Sequence, residues 1–252
     1  EQGAVVKKSP DGYIIAGNTD RYDEVTENPK GTKDVFLVKV DDQGNVEWDR
    51  NLGADKTDYA SDIIVHYYGY LVIGSSNSFL ENGQGLYDIL LIKTNFSGVE
   101  THKYTYGSIY NDYGNSVIEV GDGYVFTGSV ENINSNNADI YVAKVDKNDL
   151  LNIIWNESFG STLYDQGFDI VENYTGFTVV GNYEVSNGIT AAYFLNIDND
   201  GNELLHNIIG SYGQTIYSVE PTADGGYIMV GSSGQVGNEM ICLIKVNSEG
   251  DL

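Results

Sequence analysis

Three aspartates recur at the same place in successive segments of the sequence, and their pattern could carry chemistry: Asp58, Asp112 and Asp165. Each follows a glycine by five positions, and each of those glycines follows an aromatic residue by five positions. Carboxylates that converge on one point can hold a cation such as calcium, or a polar ligand. A carboxylate repeated along a chain can instead accept backbone N–H groups and fix its own loop. Both interpretations stay open here, and we predict no resident cofactor.

Four aromatic residues form a second candidate set, because each stands in or beside an irregular connecting segment: Tyr22, Phe79, Tyr110 and Tyr212. Irregular loops are where binding function usually concentrates. Exposed rings beside Asn and Asp would suit a glycan or a protein partner. Rings that cover the seams between neighbouring sheets would show the same pattern, so this alternative also stays open.

The composition limits the classes of partner and of reaction. Acidic residues outnumber basic ones 37 to 13, which gives a net charge of −24. Such a charge repels nucleic acid and anionic membranes, so we predict no nucleic-acid partner. No apolar run is long enough to cross a membrane, so we predict no membrane insertion. The sequence contains neither a nucleophile motif nor paired metal-ligand spacing, and we predict that the protein is not an enzyme.

The aspartates recur because the whole chain is a repeat. A motif of a glycine, an aromatic residue, three further residues and a glycine occurs five times, with Tyr in four copies and Phe in the copy at 176–181, and its last glycine advances in steps of 57, 54, 53 and 50 residues. Each repeat holds short runs rich in Val, Ile, Tyr and Phe, bounded by Gly, Asn and Asp, which is typical of β-strands. We name the four strands of a repeat a to d. The run DNDG at 198–201 resembles part of a calcium loop but lacks the rest of that pattern, which favours a hairpin turn.

Four antiparallel strands repeated five times predict an all-β fold, a five-bladed β-propeller of four-stranded antiparallel blades, in preference to a straight solenoid. In such a fold the connections from strand d to the next strand a approach the central axis, so we expect the three aspartates near the mouth of the channel. We predict one domain over residues 1–252. Its blades span approximately 1–53, 54–107, 108–160, 161–210 and 211–252.

The last blade is predicted to lack its outer strand, because only Asp251 and Leu252 follow the turn NSEG. The natural chain could continue, the blade could close with three strands, or a strand from a neighbouring molecule could complete it. An open strand edge is a template for pairing with another chain. The third explanation would make the protein self-assemble.

The segments TADGGYIMVG, KDVFLVKVDDQGNVEW and WNESFGSTLYDQGFDIV resemble the tandem β-propeller repeats of bacterial and archaeal cell-surface and secreted proteins. Those repeats carry DGGY with a glycine soon after, and Trp followed by glycine after four residues. The resemblance covers essentially the whole chain. This sequence departs from the pattern in keeping DGGY intact only once, and in having Ala191 and Asn196 where strand c of the pattern has Asp and Lys. The resemblance implies extracellular display and interaction, and no particular chemistry.

These features together predict a non-enzymatic, extracellular or cell-surface β-propeller that serves as an interaction or structural module. The predicted partner is another protein or further copies of the same chain, the latter through the open edge strand. A glycan-binding, lectin-like propeller with sites between blades is one alternative. A propeller-fold hydrolase or lyase is another, and it would need a convergent pair of acids with a raised pKa.

Overall fold

A computed structural model describes residues 2–20, 33–53, 56–78, 86–132, 137–186, 188–234 and 238–252. Within these ranges the chain forms β-strands and no helix. The strands are β1 Gln2–Ser9, β2 Gly12–Thr19, β3 Asp34–Val40, β4 Val46–Asn51, β5 Asp58–His66, β6 Gly69–Ser76, β7 Asp88–Asn95, β8 Glu100–Tyr106, β9 Asp112–Glu119, β10 Gly123–Glu131, β11 Ala138–Asp146, β12 Ile153–Phe159, β13 Gln166–Glu172, β14 Gly176–Ser186, β15 Ile189–Asp198, β16 Glu203–Ile209, β17 Gln214–Pro221, β18 Tyr227–Ser233 and β19 Met240–Val246.

The strands form five antiparallel sheets that follow one another along the chain. Four sheets have four strands, in the orders β1-β2-β3-β4, β5-β6-β7-β8, β12-β11-β10-β9 and β13-β14-β15-β16. The fifth, β17-β18-β19, has three strands within the described residues. The predicted all-β fold, a five-bladed β-propeller whose last blade lacks the outer strand, is confirmed. Among the residues described, no helix has the length and hydropathy that crossing a membrane requires.

The chain divides into two compact units, Glu1–Glu119 and Val120–Leu252. In the first unit, Ile14 and Leu37 of the first blade pack against Tyr70 and Ile92 of the second, and all four are fully buried. In a strand, successive side chains point to opposite faces of the sheet. A blade with a neighbour on each face therefore needs apolar residues at consecutive positions, which explains why every residue of β6 is buried.

The second unit repeats this packing between the fourth and fifth blades. Val180 and Phe194 of the fourth blade lie against Tyr227 and Ile244 of the fifth. The rings of Phe194 and Tyr227 meet edge to face, with centroids 5.4 Å apart. Both units thus build their cores between neighbouring sheets.

The turns between strands c and d are stabilised by the side chain of their first residue, which accepts backbone N–H groups of the same turn. The Asp198 carboxylate accepts the backbone N–H groups of Asp200 at 2.9 Å and Asn202 at 2.8 Å. Gly201 follows with a φ of +87°, which an L side chain rarely adopts. Asp41 and Asn95 accept the amides two and four residues ahead in the same way, and Asn247 does so in the turn that follows strand c of the fifth blade. The prediction that DNDG forms a hairpin turn is confirmed, because β15 and β16 pair across it.

A lysine of strand c anchors the turn between strands a and b in three blades. The ion pairs are Lys39–Asp11 at 2.9 Å, Lys144–Asp122 at 2.8 Å and Lys245–Asp224 at 2.9 Å. Burial alone would lower the pKa of Lys39, but hydrogen bonds to Glu47 and Asp11 raise it above its ordinary value. The buried amine of Lys39 is therefore charged at neutral pH.

The fourth blade lacks this lysine and replaces its function with neutral hydrogen bonds. The side-chain oxygen of Asn196 accepts a hydrogen bond from Thr178 Oγ1 at 2.6 Å. Its amide nitrogen donates to the carbonyl of Ser248, in the last turn of the fifth blade, at 3.1 Å. Asn196 therefore links the fourth blade to the fifth, whereas a lysine at this position would bind the turn between strands a and b of its own blade.

An aspartate at a β-bulge joins neighbouring blades in each unit. In the second unit, the register of β13 shifts at Asp169. One oxygen of Asp169 accepts the Ile170 N–H at 2.9 Å, and the other accepts the Ser218 hydroxyl and the Val219 N–H of the next blade, both at 2.9 Å. In the first unit, Asp62 occupies the same bulge position in β5. We name these residues the seam aspartates, because they connect two sheets.

Candidate functional site

The three recurrent aspartates are buried at the points where inner strands begin. Asp58 and Asp112 are the first residues of β5 and β9, and Asp165 directly precedes β13. They are 2%, 0% and 0% exposed. Their backbone N–H groups donate to carbonyls of the preceding blade, at Lys33, Tyr87 and Ala138, each at 2.7 Å. Asp58 and Asp112 belong to the first unit and Asp165 to the second.

The carboxylate of Asp112 accepts hydrogen bonds from the loop that precedes it. The donors are the backbone N–H and, at 3.5 Å, the hydroxyl of Ser108. A Cβ on Gly107 would collide with the carboxylates of Asp112 and Asp88. The glycine that recurs five residues before each aspartate is therefore needed to let carboxylates approach the backbone.

Asp58 and Asp165 are held in related ways. Ser78 Oγ lies 3.1 Å from both carboxylate oxygens of Asp58. Asp165 accepts the backbone N–H of Ser161 and, at 2.7 Å, that of Glu184. Burial raises the pKa of Asp165, and these hydrogen bonds offset the rise only in part. Because the side chain is fully buried within its own loops, the raised pKa does not place an acid in contact with a substrate.

These contacts support the interpretation that each recurrent aspartate fixes its own loop. Ligand binding by Asp58, Asp112 or Asp165 stays a prediction. Within the described residues, His, Cys, Asp and Glu side chains do not gather in groups of three or more that could hold a metal ion.

The four aromatic candidates have different positions. Tyr22 and Phe79 lie outside the described residues. Tyr110 is half-buried, and its backbone N–H donates to Ser108 Oγ at 3.1 Å, so it belongs to the loop that holds Asp112. Tyr212 is 71% exposed and lines a cleft of the second unit.

Sequence reasoning missed a row of tyrosines beside the aspartates of the first unit. Ring centroids lie 6.1 Å apart between Tyr59 and Tyr87 and 5.8 Å apart between Tyr87 and Tyr113. The Lys33 ammonium lies 5.4 Å from the ring centroid of Tyr59. Burial raises the pKa of Tyr87, so its phenol is neutral at physiological pH. The signal was in the sequence, since a tyrosine adjoins each buried aspartate in Asp58-Tyr59, Tyr87-Asp88 and Asp112-Tyr113.

Among the clefts that the described residues form, two open ones lie in the second unit. One, of about 600 Å³, is lined by residues that include Tyr212, Tyr217 and Glu239. The other, of about 670 Å³, is lined by residues of the turns between strands a and b, including Tyr174 and Asp224. Both volumes lie in the range of small-molecule sites. The first cleft brings a predicted site residue, Tyr212, together with other functional groups.

No family model matches the chain, and no curated protein matches it. The resemblance to tandem propeller repeats of surface and secreted proteins therefore stays a prediction from the sequence, and the function must be argued from the geometry.

Proposed function

We propose that this propeller is an interaction and structural module that assembles with further copies of itself through the uncovered face of its fifth blade. The observation that carries the proposal is the exposure of four apolar side chains on β18 and β19. Ile228 and Val230 are 37% and 40% exposed, and Ile241 and Leu243 are 88% and 68% exposed. We name these four residues the trailing face.

The same four repeat positions are fully buried in every other blade. The sixteen equivalent residues all have 0% exposure: Ile14, Ala16, Val35, Leu37, Leu71, Ile73, Ile89, Leu91, Val125, Thr127, Ile140, Val142, Thr178, Val180, Ala192 and Phe194. Contiguous apolar surface of this kind marks an interaction site in a soluble protein. In the part of the chain that the structure describes, the trailing face is therefore a seam surface that no sheet covers.

The buried seams indicate what chemistry covers such a surface. In the second unit, Val180, Ala192 and Phe194 are covered by Tyr227 and Met229 of the next blade. The surface that covers such a face is thus another apolar sheet face, with an aromatic ring at the start of its strand b. In the first unit, Tyr70 and Val72 have the same role.

A second copy of the chain offers such a face on its first blade. Val6 and Tyr13 are 57% and 41% exposed, whereas their equivalents in the second blade, Ile63 and Tyr70, are fully buried. We name Val6 and Tyr13 the leading face. Packing of a trailing face on the leading face of another copy would join different surfaces, and such head-to-tail contacts build chains or rings of subunits.

The turn of the first blade is open where the equivalent turns of the second and fourth blades are covered by a ring. The ring of Trp48 lies over Gly98, and the ring of Trp155 lies over Gly201, each from strand d of the preceding blade. Gly44 has the same left-handed backbone, but among the described residues no atom lies within 4 Å of the position that its Cβ would take. The outer edge of β19 adds open backbone groups beside the trailing face, since β19 ends its sheet in the described residues.

The net charge of −24 opposes this assembly, because copies of the chain repel one another at low ionic strength. Screening by salt reduces the repulsion and leaves the apolar contact intact. We therefore expect association to strengthen as salt is added.

The test is light scattering over a concentration series, at low and at moderate salt, on protein whose termini are verified by mass spectrometry. We expect a mass that rises with concentration and salt, and a return to 27.6 kDa in Leu243→Asp. The matched control is Leu151→Asp, which places the same charge on a leucine that is 53% exposed, in a turn of the third blade. A monomer at every concentration, or equal effects of the two variants, would refute the proposal.

An extracellular or cell-surface location is proposed with it, on the strength of the sequence resemblance alone. Labelling of intact cells with a reagent that does not cross membranes tests the location. Protein that is protected from the reagent in intact cells, and labelled after lysis, would contradict it.

A further inference from the structure

The cleft lined by Tyr212 has the composition of a binding site that the assembly proposed above does not use. It opens in the second unit beside strands β15, β17 and β18. Its volume of about 600 Å³ would accept one or two sugar rings.

Two tyrosine rings form the apolar part of the cleft. Tyr212 and Tyr217 are 71% and 51% exposed. Tyr217 is held in place, because Phe168 meets its ring edge to face at 5.2 Å and its hydroxyl lies 3.3 Å from Ser232 Oγ. An exposed ring with a fixed orientation is a platform for a ligand that has a flat apolar face.

Hydroxyl groups and a carboxylate form the polar part. Thr190 Oγ1 and Thr215 Oγ1 lie 3.3 Å apart at the same cleft. Glu239 also lines it, and among the described residues no hydrogen bond engages its carboxylate. The backbone between them is fixed, since Gly213 donates to the Thr190 carbonyl at 2.6 Å and Gly234 donates to the Gly213 carbonyl at 2.9 Å.

This combination selects the chemical class of the ligand. An ionised carboxylate only accepts hydrogen bonds, so it requires a ligand rich in donors. Glu239 and the net charge of −24 together disfavour an anion. A calcium ion would need several oxygen ligands with charge, and the described residues gather no cluster of three acidic groups. A neutral molecule with hydroxyl groups at its rim and C–H groups on its face meets all of these conditions.

We propose that this cleft binds a neutral carbohydrate. A pyranose ring stacks on Tyr212 or Tyr217, and its hydroxyl groups bond to Glu239, Thr190 and Thr215. The site lies within the second unit and does not depend on the trailing face, so failure of one proposal leaves the other intact.

The second cleft of this unit provides the contrast. It also has an exposed tyrosine, Tyr174, and a carboxylate, Asp224. The Asp224 carboxylate, however, accepts hydrogen bonds from Thr222 Oγ1 at 2.5 Å and Lys245 Nζ at 3.1 Å. The hydrogen bond from Thr222, with the contact to Lys245, lowers the pKa of Asp224 far below its usual range. This carboxylate is engaged by its own turn, so Tyr174 is a matched control for Tyr212.

The experiment is saturation-transfer NMR with the methyl glycosides of glucose, galactose, mannose and N-acetylglucosamine, followed by titration of any that bind. We expect saturable binding of at least one glycoside, about tenfold weaker in Tyr212→Ala because the stacking contact is lost. Glu239→Gln should weaken it as well, and Tyr174→Ala should leave it unchanged. Absence of saturable binding by the unmodified protein, or equal losses in Tyr212→Ala and Tyr174→Ala, would overturn the proposal. Tyr212 and Tyr174 are surface residues, so both variants should keep the fold, which thermal unfolding checks.

Discussion

Replacement of the seam aspartate Asp169 by alanine should destabilise the protein more than its half-buried position suggests. The carboxylate accepts three hydrogen bonds at 2.9 Å, two of them from the next blade. Val219, whose N–H is one of the donors, is 1% exposed, so water cannot easily replace the lost acceptor. Hydrogen bonds to a charged group contribute about 1.5–3 kcal/mol each, and a buried amide left unsatisfied costs about 1–3 kcal/mol.

We expect Asp169→Ala to lower the free energy of unfolding by about 2–3 kcal/mol, a large part of the usual 5–15 kcal/mol. Urea unfolding measures the loss, and with an m value of about 3 kcal/mol per molar the midpoint should fall by roughly 1 M. Asp62→Ala is the matched control at the same bulge. Its bonds to Ser116 Oγ and Val117 N–H are longer, at 3.4 and 3.3 Å, and its ion pair with the exposed Lys7 ammonium at 3.5 Å contributes little, so the substitution should cost less.

The coupling between blades can be isolated with Ser218→Ala and the double variant. Ser218 donates its hydroxyl to Asp169, so the two substitutions should not be additive, with an interaction energy of about 1 kcal/mol. Additive losses, or an Asp169→Ala variant within about 0.5 kcal/mol of the unmodified protein, would show that the seam does not depend on this carboxylate.

Two further predictions concern single residues. Because burial raises the folded-state pKa of Asp165, its ionisation costs stability as the pH rises through that pKa. Stability relative to Asp165→Asn should therefore improve as the pH falls from 7 towards 4, and urea unfolding at each pH measures it; a constant difference would contradict the assignment. Gly201→Ala should destabilise more than Gly44→Ala, although both glycines have a left-handed φ, at +87° and +85°. A Cβ on Gly201 would lie 2.8 Å from Trp155 Cε3, whereas Gly44 has open space, so the variants should differ by about 1 kcal/mol or more in thermal unfolding, and equal losses would refute the role of the ring.

The repeat pattern predicted the fold well because the features it records are local. The hairpin turns depend on a residue such as Asp198 or Asn95 and on a glycine three positions later, and both can be read directly from the sequence. The three-stranded last blade followed from counting strands. The repeat pattern also put the three aspartates at equivalent positions, but the sequence could not show that Asp112 is fully buried against its own loop.

The features that sequence reasoning missed depend on contacts between repeats. The bond from Val219 to Asp169 joins residues 50 positions apart and requires a bulge that turns the carboxylate towards the next sheet. A signal was present, since the bulge position holds Asp in the second and fourth blades and Ser, as the donor, in the third and fifth. The exposure of Leu243 could not be predicted from the run MICLIKV in which it lies, because the equivalent runs of the other blades are equally apolar and their equivalents of Leu243 are fully buried.

The self-closing turns between strands c and d also bear on how the chain folds. Their hydrogen bonds connect residues no more than four positions apart, and hairpins of this kind form within about 1–10 μs. The contacts between blades, in contrast, join residues some 50 positions apart, and they can form only after both sheets have formed. We expect outer hairpins to form early and independently, while the rate of folding is set by the docking of one blade on the next.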